Sequence, residues 1–331
     1  MGRRVTLADV ASAAGVSTAT VSYVLNDRQG HSIPDGTRAR VRDAARDLGY
    51  TPSSAARTLA RGRSDIVLLL VPELPLGHVL VGILEGLTRG CARLGLQLLA
   101  RLPLPGEDLE RLCREIMPAA VIVLLDPDPR PLARIRDLGV PVTQWGAGPS
   151  APGDDSEKVP VPTDAVGRLQ AGTLVTHGHT RLAFLEPADA ALRPLVEGRF
   201  AGVDRYCAER GLEPPVRLRV ERAGASSRTL RRCVDDGVTG LCVYNDDLAL
   251  SVLAAAHAAK LSIPGSIAVI GVDDIPAGQW TDPPLTTIAF ELDTISARIL
   301  NHVVRALGLP APALDSAGEP ELVVRMRGSV G

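Results

Sequence analysis

Lysine is almost absent. The 331 residues contain two, Lys158 and Lys260, and neither stands in a glycine-rich phosphate loop. No G-x-S-x-G elbow occurs. The stretch "GAGPSAPG" (146–153) lacks the G-x-G-x-x-G spacing and is too rich in proline to open a helix. The usual sequence marks of a nucleotide-dependent enzyme or a serine hydrolase are therefore missing. The five cysteines (Cys91, Cys113, Cys207, Cys233 and Cys242) are odd in number and form no C-x-x-C pair. Free thiols in a reducing cytoplasm fit this better than a disulfide framework or a zinc site. His177 and His179 in "THGHTRLA" have no cysteine or carboxylate at ligand spacing, so no metal is expected. The longest apolar stretch, "IVLLLVPELPLGHVLVGIL", is interrupted by Pro72, Glu73, Pro75 and His78, too often for a membrane span. The N-terminus reaches Asp9 before any apolar run forms, so no signal peptide is expected either. The expectation is a cytoplasmic protein with no cofactor, no metal and no membrane partner.

Charge is present but unevenly placed. The chain carries 36 basic and 38 acidic residues, a net charge of −2. Residues 1–64 hold 10 Arg and 5 Asp, a net +5, and the remainder is net −7. A basic head on an acidic body points the head toward a polyanion.

The head has the punctuation of short helices. Thr6 and Asp9 are spaced as a capping box, and Gly15 supplies the left-handed stop after a first helix ending at Ala14. Ser17 caps a second helix at about 18–26, giving helix–turn–helix spacing. Val10, Ala14, Val16, Val21, Val24 and Leu25 can close a small shared core. A third helix is expected at about 35–48, ended by Gly49. "SSAARTLARGRS" holds one large apolar residue, Leu59, and is expected to be a linker that becomes helical only against a partner.

From Ile66 onward, Val/Ile/Leu-rich strands alternate with amphipathic helices. Strands are expected at 66–71, 96–100, 120–125 and 140–145, then at 181–186, 216–220, 240–245 and 267–274. Helices include 164–176, 196–210, 246–259 and 292–307. The pattern is that of an α/β core of two tandem parallel-sheet subdomains, each covered on both faces. Ligands in such a core lie at the carboxyl ends of the strands, here in the cleft between subdomains.

The segments "VTLADVASAAGVSTATVSYVLN" and "TRARVRDAARDLGYTPSSAARTLARGRS" resemble the head of the LacI/GalR family of bacterial transcription regulators. The resemblance continues through "DAVGRLQAGTLVTHGHTRLAFLEP", "GRFAGVDRYCAERGL", "VYNDDLALSVLAAAHAAKLSIPGSIAVIGVDDIP", "PPLTTIAF" and "ELVVRMRGSV". It implies a homodimer that binds a near-palindromic operator in double-stranded DNA, with a periplasmic-binding-protein-like core responding to a small-molecule effector. It also implies a division into a helix–turn–helix domain (1–51), a hinge helix or linker (52–64) and an effector-binding and dimerisation core (65–331). Within the core, the N-subdomain would take about 65–160 and 288–312, and the C-subdomain about 161–287 and 313–331. The tail has no heptad pattern, so no added tetramerisation helix is expected.

The resemblance places Thr18, Ala19, Thr20, Ser22, Tyr23 and Asn26 on the DNA-facing side of the recognition helix. Small side chains permit close approach, hydroxyls reach phosphates and bases, and methyl groups touch thymine. Thr6 and Ser17 suit phosphate contacts, and Tyr50 is a further contact at the end of the third helix. Tyr23 departs from the family's common Arg and cannot make the bidentate contact to guanine, so a different base is expected there. Leu59 matches the family's minor-groove wedge, flanked by Ala56, with Arg57, Arg61 and Arg63 placed to neutralise phosphates.

Arg199, Asn245 and Asp273 match positions in the family's effector cleft. Trp145 precedes Gly146, where the family commonly has Asp, and Phe290 replaces a common polar residue. Such a cleft has lost polar groups and gained apolar ones. That puts a sugar in doubt and leaves a less polar metabolite, or a regulator with no effector at all, as alternatives. A solute-binding protein lacks reason for a basic head, and an enzyme lacks its motifs, although the fold alone would permit one. Trp280 is expected either near the crossover between subdomains or in the core.

Overall fold

The computed structural model describes residues 5–25, 33–50, 58, 62–72, 77–104, 107–125, 129–146, 157–221, 224–310 and 322–331. The chain forms two compact units, Met1–Asp65 and Ile66–Gly331.

In the first unit, helices α1 (Leu7–Ala14), α2 (Thr18–Leu25) and α3 (Asp35–Asp47) surround a small core. Val10, Ala14, Val21, Val24, Val41 and Ala45 are buried there, with Val16, Leu25 and Tyr50 packed at its edge. The capping box at Thr6 and Asp9 forms as expected. Gly15 ends α1 at φ 67° and ψ 37°, and its N–H donates to the carbonyls of Ala11 and Ser12. Glycine tolerates that left-handed backbone, which lets α2 begin three residues later.

The second unit contains two sheets. The first has the order β2-β1-β3-β4-β5, where β1 is Ile66–Leu70, β2 Gln97–Arg101, β3 Ala120–Leu124, β4 Val142–Gly146 and β5 Glu157–Pro160. All its pairings are parallel. Side chains alternate across a strand. Leu68 and Leu70 therefore face one core with Leu132 and Ile135 of helix α6 (Pro129–Asp137) and Cys113 of helix α5 (Leu109–Ile116). Val67 and Leu69 face the opposite core, with Ile83 and Leu87 of helix α4 (His78–Arg93).

The second sheet has the order β11-β10-β9-β8-β6-β7, where β6 is Leu182–Pro187, β7 Val216–Val220, β8 Gly240–Val243, β9 Ala268–Val272, β10 Thr286–Phe290 and β11 Leu322–Arg325. Only β11 runs antiparallel to its neighbour. Helices α7 (Thr163–Thr176) and α8 (Arg193–Glu209) cover one face. Helices α9 (Ser227–Asp235) and α10 (Asp246–Ala259) cover the other.

Strand β10 lies wholly in the second sheet, so the return to the first subdomain falls at Glu291 and not at 288. Helix α11 (Leu292–Ala306) then packs on α4. A Cβ on Gly82, Gly86 or Gly90 of α4 would overlap Leu292, Ser296 or Leu300 of α11, respectively. Spacing of four residues on both helices puts these contacts on one ridge. The sequence reading did not mark β5, β10 or β11 as strands. β11 has four residues, and its partner lies more than thirty residues upstream, so no local pattern announces it.

All five cysteines are buried and free. Burial pushes the thiols of Cys91 and Cys113 up to about 11, which keeps them protonated and unreactive. No described helix is long and apolar enough to cross a membrane. Trp280 is not packed in the core: it is 81% exposed at the end of a short 3₁₀ turn, Pro276–Trp280.

Candidate functional site

Two surfaces carry the residues singled out above. The first is α2. Val21 and Val24 point into the small core, which turns Thr18, Ala19 and Ser22 outward. Ser17, Thr18 and Ala19 are exposed, and Thr20, Ser22 and Tyr23 are half-buried. At 100° per residue, 18, 19, 22 and 23 share one stripe, with Thr20 on its flank. The Thr20 N–H donates to Ser17 Oγ at 3.1 Å, and the two hydroxyls lie 2.9 Å apart. Thr6 donates through its N–H and its hydroxyl to the Asp9 carboxylate, at 2.8 and 2.7 Å. The hydroxyls of Thr6 and Ser17 thus serve the caps of their own helices. Tyr50 is half-buried against the head core, and its N–H donates to the Ala45 carbonyl. Asn26, Ala56, Arg57, Leu59 and Arg61 lie outside the described residues.

The second surface is a cavity of about 130 Å³ between the two sheets, at the carboxyl ends of their strands. All five residues expected there line it: Trp145, Arg199, Asn245, Asp273 and Phe290. Trp145 is the penultimate residue of β4 and is 3% exposed; Phe290 ends β10 and is 9% exposed. Asn245 caps α10 by accepting from the Leu248 N–H at 3.0 Å, so its oxygen serves the fold while the residue forms part of the wall.

Arg199 is set by the close approach of α7 and α8. A Cβ on Gly167 would overlap the Arg199 carbonyl, and one on Gly202 would overlap that of Asp164. Glycine at both points lets the helices touch along their backbones. The Arg199 guanidinium donates through Nη1 to the Tyr244 carbonyl and lies 4.5 Å from the centroid of the Tyr244 ring. Its Nη2 is 3.8 Å from Asp273 Oδ1, an ion pair too long for a hydrogen bond. Two buried donors on these lining residues, Arg199 Nε and Trp145 Nε1, have no hydrogen-bond partner among the described residues.

Asp273 follows β9 with φ +105°, a conformation sparsely populated by side-chain-bearing residues. Burial pushes its carboxyl up to about 6, against the opposing pull of Arg199. Asp246 accepts from the Thr287 hydroxyl at 2.7 Å and from the Ile275 N–H at 3.0 Å. It therefore ties the loop after β9 to β10. Burial pushes its carboxyl up to about 7, with the two hydrogen bonds acting in the opposite direction.

Sequence reasoning missed Tyr244, whose ring stacks on Arg199, and the apolar wall of Val79, Leu80, Leu125, Val161, Leu192 and Leu195. These lie in ordinary helix and strand-end positions, and only the pairing of the subdomains brings them together. His177 and His179 are spent on backbone carbonyls, those of Thr173 and Val330.

A small helix–turn–helix unit and a two-sheet core with a cavity at its strand ends together define a class: regulators with a nucleic-acid-reading head and a ligand-binding body. Residues 6–53 match the family described as bacterial regulatory proteins, lacI family, and residues 171–329 match the periplasmic binding protein-like domain. The chain thus carries a lacI-family helix–turn–helix domain and a periplasmic-binding-protein-like domain, the pairing found in regulators of the LacI family. It is 29% identical to the ribose operon repressor of Escherichia coli, over 92% of this chain and 94% of the repressor. It is 27% identical to the HTH-type transcriptional regulator CelR of Thermobifida fusca, over 98% of this chain and 99% of CelR. A solved structure of the lac repressor dimer bound to operator and the anti-inducer ONPF shares the fold, with a TM-score of 0.76, 23% identity and 99% of each chain covered.

Proposed function

We propose that this chain is a sequence-specific DNA-binding transcriptional regulator, a repressor, which binds a near-palindromic operator as a homodimer in the bacterial cytoplasm. A small molecule in the core cavity sets its affinity for that operator. The observation that carries the DNA-binding part is the outward stripe of Thr18, Ala19 and Ser22 with Tyr23, held on α2 by the inward Val21 and Val24. Small hydroxyl-bearing side chains on a rigid, basic head allow a helix to lie close to base edges. Ribose- and cellobiose-named relatives and an operator-bound dimer of the same fold support the same reading. Residues 52–64 are proposed as the hinge, with Leu59 as a wedge that unstacks a minor-groove step.

The cavity binds and releases its occupant rather than transforming it. The ligand shifts DNA affinity only by its differential affinity for the two arrangements of the core.

The test is fluorescence anisotropy of the full chain on a selected operator and a scrambled duplex at physiological ionic strength. The selected site is expected to bind at least about 10³-fold more tightly, with affinity falling steeply as salt rises. Equal, weak binding to both duplexes would remove the assignment.

A further inference from the structure

Two segments of the second sheet border the cavity, and one side chain reaches from the first to the second. The first segment is the turn after β9. Asp273 and Asp274 both have positive φ there, +105° and +52°, a backbone uncommon for residues with a side chain. Asp273 lines the cavity, whereas Asp274 accepts from Arg327 Nη2. The second segment is the end of β10. Phe290 lines the cavity, and Glu291 begins the return to the first subdomain.

Arg325, on the edge strand β11, spans the two. Its Nε lies 3.6 Å from Asp274 Oδ2, and its Nη2 lies 4.0 Å from Glu291 Oε1. The two carboxylates are anchored differently. Asp274 is 24% exposed and is held by Arg327, which also donates to the Leu285 carbonyl at 2.8 Å. Arg325 and Glu291 are 48% and 43% exposed. Ion pairs of such length and exposure each contribute little to stability. A contact that must form and break needs a small free energy of this kind, so that modest differential binding can decide its state.

We propose that Arg325 is a latch on this crossover. By bridging Asp274 to Glu291 it favours the arrangement in which Trp145 is covered, and the cavity opens when the bridge is released. Each residue that it joins adjoins a lining residue in sequence, Asp273 in one case and Phe290 in the other. A molecule that displaces either lining residue therefore acts on the latch.

The chain has two tryptophans, Trp145 in the cavity lining and the exposed Trp280. In the full-length Trp280→Phe chain, emission reports Trp145 alone. Quenching by acrylamide, which is uncharged, then measures how often the cavity opens to solvent. Adding Arg325→Met is expected to raise the quenching constant about two- to fivefold at low salt. Raising NaCl from about 0.05 to about 0.5 M screens exposed ion pairs. The parent chain is expected to move toward the Arg325→Met value over that range, and the variant to stay where it is. Glu291→Gln removes the other end of the bridge and is expected to give the same rise. The double variant is expected to rise no further than either single one.

A quenching constant left unchanged by Arg325→Met overturns the latch. So does a rise that retains the parent's salt response, or a pair of rises that add in the double variant, because both place the effect outside the bridge. The measurement uses no DNA. Loss of the latch therefore leaves operator binding standing, and a chain that binds no operator still tests the latch.

Discussion

The guanidinium of Arg199 is stacked on the ring of Tyr244, 4.5 Å from its centroid, while it donates a hydrogen bond to the carbonyl of that same residue. One side chain on α8 is thereby fixed from two directions by the end of β8. Its Nη2 lies 3.8 Å from Asp273 Oδ1, and the residue lines the cavity. A planar, always charged fork suits this position, and an ammonium would not reproduce it.

Replacing Arg199 by Met removes the stack and leaves Asp273 without its counter-charge. Loss of one partner of a buried ion pair costs about 3–5 kcal/mol when the geometry is close. At 3.8 Å the expected loss is lower, roughly 2 kcal/mol. Urea unfolding of the full chain measures it, and an unchanged midpoint would show that the stack contributes nothing to stability.

Asp246 gives the fold a pH dependence of unusual sign. Its folded pKa, about 7, lies well above the ordinary aspartate value of 3.8, with burial as the main cause. The unfolded carboxyl gives up its proton near pH 4, whereas the folded one keeps it until about pH 7. Stability from this group is full at low pH and is lost as pH rises through that window. Asp246→Asn removes the titration. Relative to wild type, the variant is expected to gain stability steadily between pH 4 and pH 7 and then to run parallel above it. Curves parallel throughout the range would count against a buried, proton-holding Asp246.

The contact of α4 with α11 is too close for side chains at the glycine positions. Gly86→Ala drives a methyl into Ser296 and is expected to destabilise by roughly 1–3 kcal/mol through overpacking. Gly36→Ala in α3 meets open space and is expected to stabilise by about 0.5 kcal/mol, because alanine loses less backbone freedom than glycine on entering a helix. Thermal unfolding of both variants is the check, and the opposite signs are what matter.

Tyr23 stands on the edge of the outward stripe of α2. If it reads a base, site selection with Tyr23→Ala relaxes the preference at one symmetric pair of positions by about 1–3 kcal/mol. Identical selected sites from wild type and variant would leave Tyr23 with a backbone-packing role alone.

Much of the head was legible in sequence because its signals are local. The Thr6–Asp9 box, the Gly15 stop and the Ser17 cap each operate within a single turn, and each formed as expected. Strands β1, β3 and β4 of the first sheet were legible for a related reason. Runs such as "IVLLL" are buried on both faces, so composition alone marks them. Strand β11 left no such mark, because it gains its meaning only from antiparallel pairing with β10. Trp280 shows the converse: of its two expected places the core is excluded, because the side chain is exposed.

The order of the amino acids by itself determined the helix caps, the two series of strands, the uneven charge and the family. Only the tertiary structure decided that Tyr244 and the apolar side chains of Leu80, Leu125 and Leu195 join the five expected residues around one small cavity. The reason is physical. A cap or a buried strand is specified by neighbours a few bonds away, whereas a cavity is the space left where distant segments fail to fill one another, and that emptiness has no sequence of its own.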